Sequence, residues 1–129
     1  MYEVVAQSDA AELRRQLADE GCEVRELDGS GVVDRATFLA GAAEAFGCEP
    51  LSGWDAYSDR LWTAVVPEDT EGAKAALVWE HADELLAGEL ASFLMAFDIS
   101  VTTARQAYRQ GVDLTIFLLG DGPGFPPLP

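Results

Sequence analysis

An α/β fold, with helices covering a short three-stranded parallel sheet, is what this sequence predicts, and three observations lead there. The runs Ala75-Ala-Leu-Val-Trp-Glu80 and Leu114-Thr-Ile-Phe-Leu-Leu119 are almost continuously apolar, as strands buried on both faces are. Residues 22–27 (CEVREL) alternate apolar and polar, as a strand wet on one face does. Long stretches of helical spacing separate the three, and connections of a dozen residues or more imply parallel pairing through right-handed crossovers. With 129 residues, 49% of them hydrophobic, the chain has the length of one domain. Such a domain buries about two thirds of its unfolded surface.

The elements follow in order. Ser8 is placed to cap a helix over residues 9–20, closed by Gly21. After the strand at 22–27, Asp28-Gly-Ser-Gly31 reads as a turn, and Asp34 as the cap of a helix through Phe46 that Gly47 stops. A loop from Cys48 to Gly53 leads to a helix over about Trp54–Val66, broken by Pro67, and residues 68–73 form an acidic linker. Beyond the strand at 75–80 a helical stretch breaks near Gly88 and resumes to about Gln110, with Leu90, Phe93, Leu94 and Phe97 at core spacing. The tail GDGPGFPPLP has too much Gly and Pro for a regular element and should lie loose or draped over the surface.

Charge and composition narrow the function. Acids outnumber bases 23 to 8, a net charge of −15. Such a field repels nucleic acid and anionic membrane and favours basic partners. Cys22, Cys48 and the single His81 fit no metal spacing, so no metal or other cofactor is expected. The first residues lack the apolar run of a secretory signal, and no segment has the roughly 20 apolar residues of a membrane span. A cytoplasmic protein with reduced thiols, monomeric when free, is the expectation.

Two acidic groupings stand out. Glu26 to Asp34 places oxygen side chains at positions 1, 3, 5 and 9 of a calcium-type loop with Gly31 at position 6, but Thr37 stands where the bidentate glutamate belongs. The second is Trp54-Asp-Ala-Tyr-Ser-Asp-Arg-Leu-Trp62. On a helix, Asp55, Asp59 and Trp62 share an arc of roughly 60° beside a face made by Trp54, Tyr57, Leu61, Ala64 and Val65, with Ser58 at the border. Arg60 falls on the far side, and like charges one turn apart cost a helix a few tenths of a kcal/mol. The pair could serve as a general acid and base, but the chain has no nucleophile elbow, phosphate loop or His/Asp/Ser grouping to accompany it. A plain amphipathic helix with an acidic outer face is the alternative.

The segment from Val24 to Leu119 resembles the barstar family, intracellular inhibitors of secreted microbial ribonucleases of the barnase type. Three pieces carry the resemblance: Ser52-Gly-Trp-Asp-Ala-Tyr-Ser-Asp-Arg-Leu61, then Leu77-Val78-Trp79, then Gly111-Val112-Asp113 leading into the last strand. A helical extension at 1–21 and a Pro/Gly-rich tail at 121–129 lie outside the resemblance, which implies a three-layer α/β fold for a barstar-like domain at 22–120. It further implies that Asp59 enters the substrate-phosphate site of a basic ribonuclease, with Asp55 beside it and Ser58 and Trp62 adjoining. Glu49 and Gly53 then line the preceding loop.

Several positions depart from the family pattern. Gly53 replaces its Asn, Leu51 its Gly, Glu49 and Pro50 its tyrosine pair, and Gln106 a helical glutamate. An immunity protein of the same fold against a different toxin nuclease is therefore a second expectation. A calcium-binding or hydrolytic acidic module is a third.

Overall fold

The computed structural model describes residues 1–66 and 72–129. The strands are β1 (Tyr2–Ala6), β2 (Glu23–Asp28), β3 (Lys74–Glu80) and β4 (Asp113–Gly120). The helices are α1 (Ala10–Asp19), α2 (Arg35–Phe46), α3 (Trp54–Val65), α4 (Ala82–Gly88) and α5 (Leu90–Arg109). The strands form one parallel sheet in the order β1-β4-β3-β2. Because β3 and β4 are central, they are apolar on both faces. Leu77, Trp79, Ile116 and Leu118 point into a core shared with α2 to α5. Ala76, Val78, Phe117 and Leu119 meet Leu13 and Leu17 of α1 on the other face. The result is three layers: α1, the sheet, and four helices.

The sheet has four strands where three were expected. Tyr2–Ala6 is the addition, pairing from Tyr2 opposite Ile116 to Ala6 opposite Gly120. Its partner lies at the far end of the sequence, so no local turn or spacing announces it. The start of the first helix also differs. Residues 7–9 make a 3-10 turn that contains Ser8, and the cap position is Asp9, whose side chain makes no cap bond. The Asp9 carboxylate instead accepts the Leu128 amide at 3.0 Å, while the Ala6 amide donates to the Pro126 carbonyl at 2.8 Å. The tail is thus draped over the N-terminal segment, with Phe125 partly buried against the core.

The segment after β2 follows the expected strand, turn and helix. Asp28 Oδ1 accepts the Ser30 amide at 2.9 Å, and this bond holds the Asp28 carboxyl below its ordinary pKa. Asp34 accepts the Thr37 amide at 2.8 Å in a capping box with the Thr37 side chain, which likewise lowers its pKa. Gly47 closes α2 at φ 64°, where a side chain would be strained. Of the three carboxylates in the calcium-like loop, Asp28 and Asp34 are therefore committed to the turn and the cap, and Glu26 pairs with Arg14.

The long helix buries only part of the face its large residues suggested, with Phe93 and Phe97 half-buried against the core. Leu90 and Leu94 are 55% and 53% exposed. The buried face of α5 is made of Ser92, Ala96, Ser100, Thr103, Ala104 and Ala107. Small residues let α5 lie close to β4 and α3, and the bulky ones are displaced to its flank. Phe93 lies tilted against Trp79 at 5.5 Å and Phe97 meets Tyr2 edge-on at 4.9 Å. The break near Gly88 is as expected. Most of the expected acidic linker, and Pro67, lie outside the described residues.

Candidate protein-binding surface

Helix α3 is held by one side and presents the other. Tyr57, Leu61 and Val65 are buried at helical spacing. Tyr57 sits at the centre of an aromatic cluster, 5.0 Å from Phe38, 6.1 Å from Phe46 and 6.3 Å from Trp54 by ring centroids. Its hydroxyl lies 2.7 Å from Ser100 Oγ, and Ser100 in turn donates to the Ala96 carbonyl at 2.7 Å. The single proton of Ser100 is thus spent on Ala96, so Tyr57 is the donor in the first bond. Burial pushes the Tyr57 phenol well above its ordinary pKa. These contacts fix the position and rotation of α3 on the body of the protein.

The outer face carries the predicted residues. Asp55 and Asp59 are exposed, Ser58 is half-buried, and Trp62 is half-buried against the core with part of its surface in solvent. One turn of helix sets the Cβ atoms of the two aspartates about 5–6 Å apart. Among the described residues neither carboxylate takes part in an ion pair or accepts a side-chain hydrogen bond. Asp55 lies in the first turn of α3, where the helix dipole favours a negative charge. The exposed Glu44 and Glu49 lie just upstream in sequence, at the end of α2 and in the loop before α3.

Gly53 occupies the N-cap of α3 in an extended conformation and has no side chain to make a cap bond. A Cβ built there would stand 3.1 Å from Nη2 of Arg35. Arg35 is a residue that sequence reasoning missed. It is the first residue of α2, and its guanidinium lies 5.9 Å from the centre of the Trp54 ring. Its backbone amide donates to Glu89 Oε1 at 3.2 Å, so the start of α2 is tied to the start of α5. No spacing in the sequence signals that meeting, which depends on how the 48–53 loop closes.

This surface can offer two fixed negative charges, an indole edge and a hydroxyl to a basic surface. The model of the family described as Barstar (barnase inhibitor) matches residues 22–119. The chain belongs to the Barstar family. The match spans β2 through nearly all of β4 and includes α3, whereas β1 and α1 precede it. No curated protein matches the chain. Among solved structures, a likeness is found to the Aeropyrum pernix Orc1 protein in complex with DNA, with a TM-score of 0.44 and 13% identity. It covers 92% of this chain and 32% of that one, so the chain spans about a third of that protein, and at that score nothing is argued from it. Among the described residues, no helix is long and apolar enough to cross a membrane.

Proposed function

We propose that this Barstar-family protein binds a basic microbial ribonuclease and occludes its active site, protecting the cell that makes the enzyme. The observation that carries this reading is the exposed Asp55–Asp59 pair, with no ion-pair partner among the described residues, on a helix whose inner face is locked into the core. An enzyme that binds phosphodiesters presents cationic side chains in its cleft. Two carboxylates at fixed spacing can replace two phosphate charges there without offering a bond to cleave, and Arg–carboxylate contacts are strong when desolvated. Asp59 is the anchor and Asp55 its partner. Ser58 and Trp62 extend the contact along α3, and Glu49 and Gly53 form its edge in the loop. The protein performs no chemistry of its own, and it acts in the cytoplasm as a monomer until it meets its target.

The net charge of −15 supports fast encounter with a cationic partner. Such steering is known from the barnase–barstar pair. Truncating one member of a buried charge pair costs about 2–5 kcal/mol in general. Asp59→Ala should therefore weaken inhibition by about 30-fold or more in assays against a panel of basic microbial ribonucleases. Wild-type inhibition should also fall with added salt. Affinity of the variant within about twofold of wild type would remove Asp59 from the contact.

The departures at Glu49, Pro50, Leu51 and Gly53 favour a second reading, in which the target is a different toxin nuclease. Absence of inhibition across the panel, together with Asp59-dependent capture of another basic nuclease, would select it.

A further inference from the structure

The sheet has two edge strands, β1 and β2, and the tail bonds to the β1 side. Among the described residues, strand β2 pairs with β3 alone. Among the described residues, the outer row of backbone groups on Glu23–Asp28 meets no other backbone group. An open row of this kind is a template for another strand.

Helix α2 overhangs this edge. Phe38, Leu39, Ala42 and Ala43 face the core, and the neighbouring face of the helix roofs a groove of about 620 Å³. Ala40, Gly41 and Ala45 line the roof, and Val24, Glu26 and Asp28 line the strand side. Gly41 lies in the interior of α2, where glycine costs about 1 kcal/mol relative to alanine. A Cβ at that position would meet nothing closer than Val32 Cγ2 at 3.4 Å, an ordinary contact. Packing within the chain therefore does not require the glycine. Its effect is to keep the groove open beside an edge strand of six residues, about 20 Å long.

Charge selects the occupant. Glu23, Glu26 and Asp28 lie along the strand and Glu44 on the roof, against Arg25 alone. Arg25 already donates to the Ala64 carbonyl at 3.4 Å, and Glu26 pairs with Arg14. Two copies joined through β2 would bring these acids together, and like charges across a strand pair are destabilising. Lysine or arginine on an incoming strand would instead meet Glu23 and Glu44 on the α2 side of the edge, or Asp28 on the opposite side. We propose that the open edge of β2 and the overhanging face of α2 form a strand-addition site for an extended basic segment of a partner protein. This site is distinct from the Asp55–Asp59 surface.

The test is an NMR titration of the ¹⁵N-labelled full chain with a capped heptapeptide of alternating Lys and Val. The Glu/Val counterpart serves as control. The expected result is a set of amide shifts at Val24, Glu26, Asp28 and Gly41 that weakens with salt and is absent with the acidic peptide. Gly41→Leu fills the groove, and Glu44→Lys changes only an exposed charge. Each should weaken binding at least tenfold, while Asp59→Ala leaves it unchanged. The proposal is overturned if the β2 amides do not move at millimolar peptide, if both peptides bind alike, or if neither groove variant has an effect. Concentration-dependent shifts of the β2 amides without peptide would also overturn it, assigning the edge to a second copy of the chain.

Discussion

Tyr57 does two things at the centre of the protein: it fills the space between Phe38 and Phe46, and it sends one hydrogen bond to Ser100. These can be separated. In Tyr57→Phe the ring stays, Ser100 keeps its own bond to Ala96, and only an acceptor lone pair is left unfilled. The cost at neutral pH should be about 1 kcal/mol by chemical denaturation. Alkali should reverse the comparison. The folded-state pKa of Tyr57 is raised, so its neutral form stabilises the fold fully below the ordinary value of about 10. That stability is lost as pH rises above it, because unfolding releases a phenol that can ionise. Tyr57→Phe has no such group, so its deficit should shrink above pH 10. A deficit independent of pH would mean that the Tyr57 phenol is not the group burial holds neutral.

At the scale of elements, the caps and buried faces define the platform for the binding surface. Asp34→Ala removes the bond to the Thr37 amide and should lower the thermal midpoint at pH 7. The folded-state pKa of Asp34 is depressed, so its contribution is present above about pH 4 and lost as pH falls through the folded value. The gap between wild type and variant should therefore close in acid, as thermal melts from pH 7 to pH 3 would reveal. Helix α5 offers a contrasting case. Leu94→Lys alters a half-exposed flank and should change stability by less than about 0.5 kcal/mol. Ala96→Leu adds bulk to a fully buried position and should cost about 1–3 kcal/mol. If Leu94→Lys proved the costlier change, the assigned buried face of α5 would be wrong.

These same elements separate what the sequence reveals from what it conceals. β3 and β4 are legible because central strands must be apolar on both faces, and α2 because Asp34 and Gly47 mark its ends chemically. The inner face of α3 is legible for a related reason, since Tyr57, Leu61 and Val65 recur at one spacing. The α5 face misleads because large apolar residues draw attention while a close helix contact demands small ones. β1 and the reach of Arg35 over Trp54 are hidden by distance along the chain: each depends on a partner that only the closed fold supplies.

On the scale of the whole molecule, the two ends of the chain meet beside the sheet. β1 adds the fourth strand, and the segment after β4 crosses back over it. The Ala6 amide bonds to Pro126, the Leu128 amide to Asp9, and the Phe125 ring lies where a side chain on Gly120 would have to go. A Cβ on Gly120 would come within 2.7 Å of Phe125 Cζ and 2.9 Å of Asp83 Oδ1, so Gly120→Ala should lift the ring from its seat. Phe125→Ala would remove the same contact from the other side. Because Phe125 is only partly buried, each change should cost about 1–2 kcal/mol, a drop of roughly 4–7 °C in Tm for a chain of this size. Hydrogen exchange distinguishes release of the tail from general loosening. In both variants the Ala6 and Leu128 amides should lose protection, while the Val78 and Leu118 amides in the central strands keep theirs. Uniform loss across all four strands would mean that the tail is part of the cooperative core. Unchanged protection at Ala6 and Leu128 would mean that the backbone bonds hold the tail without the ring.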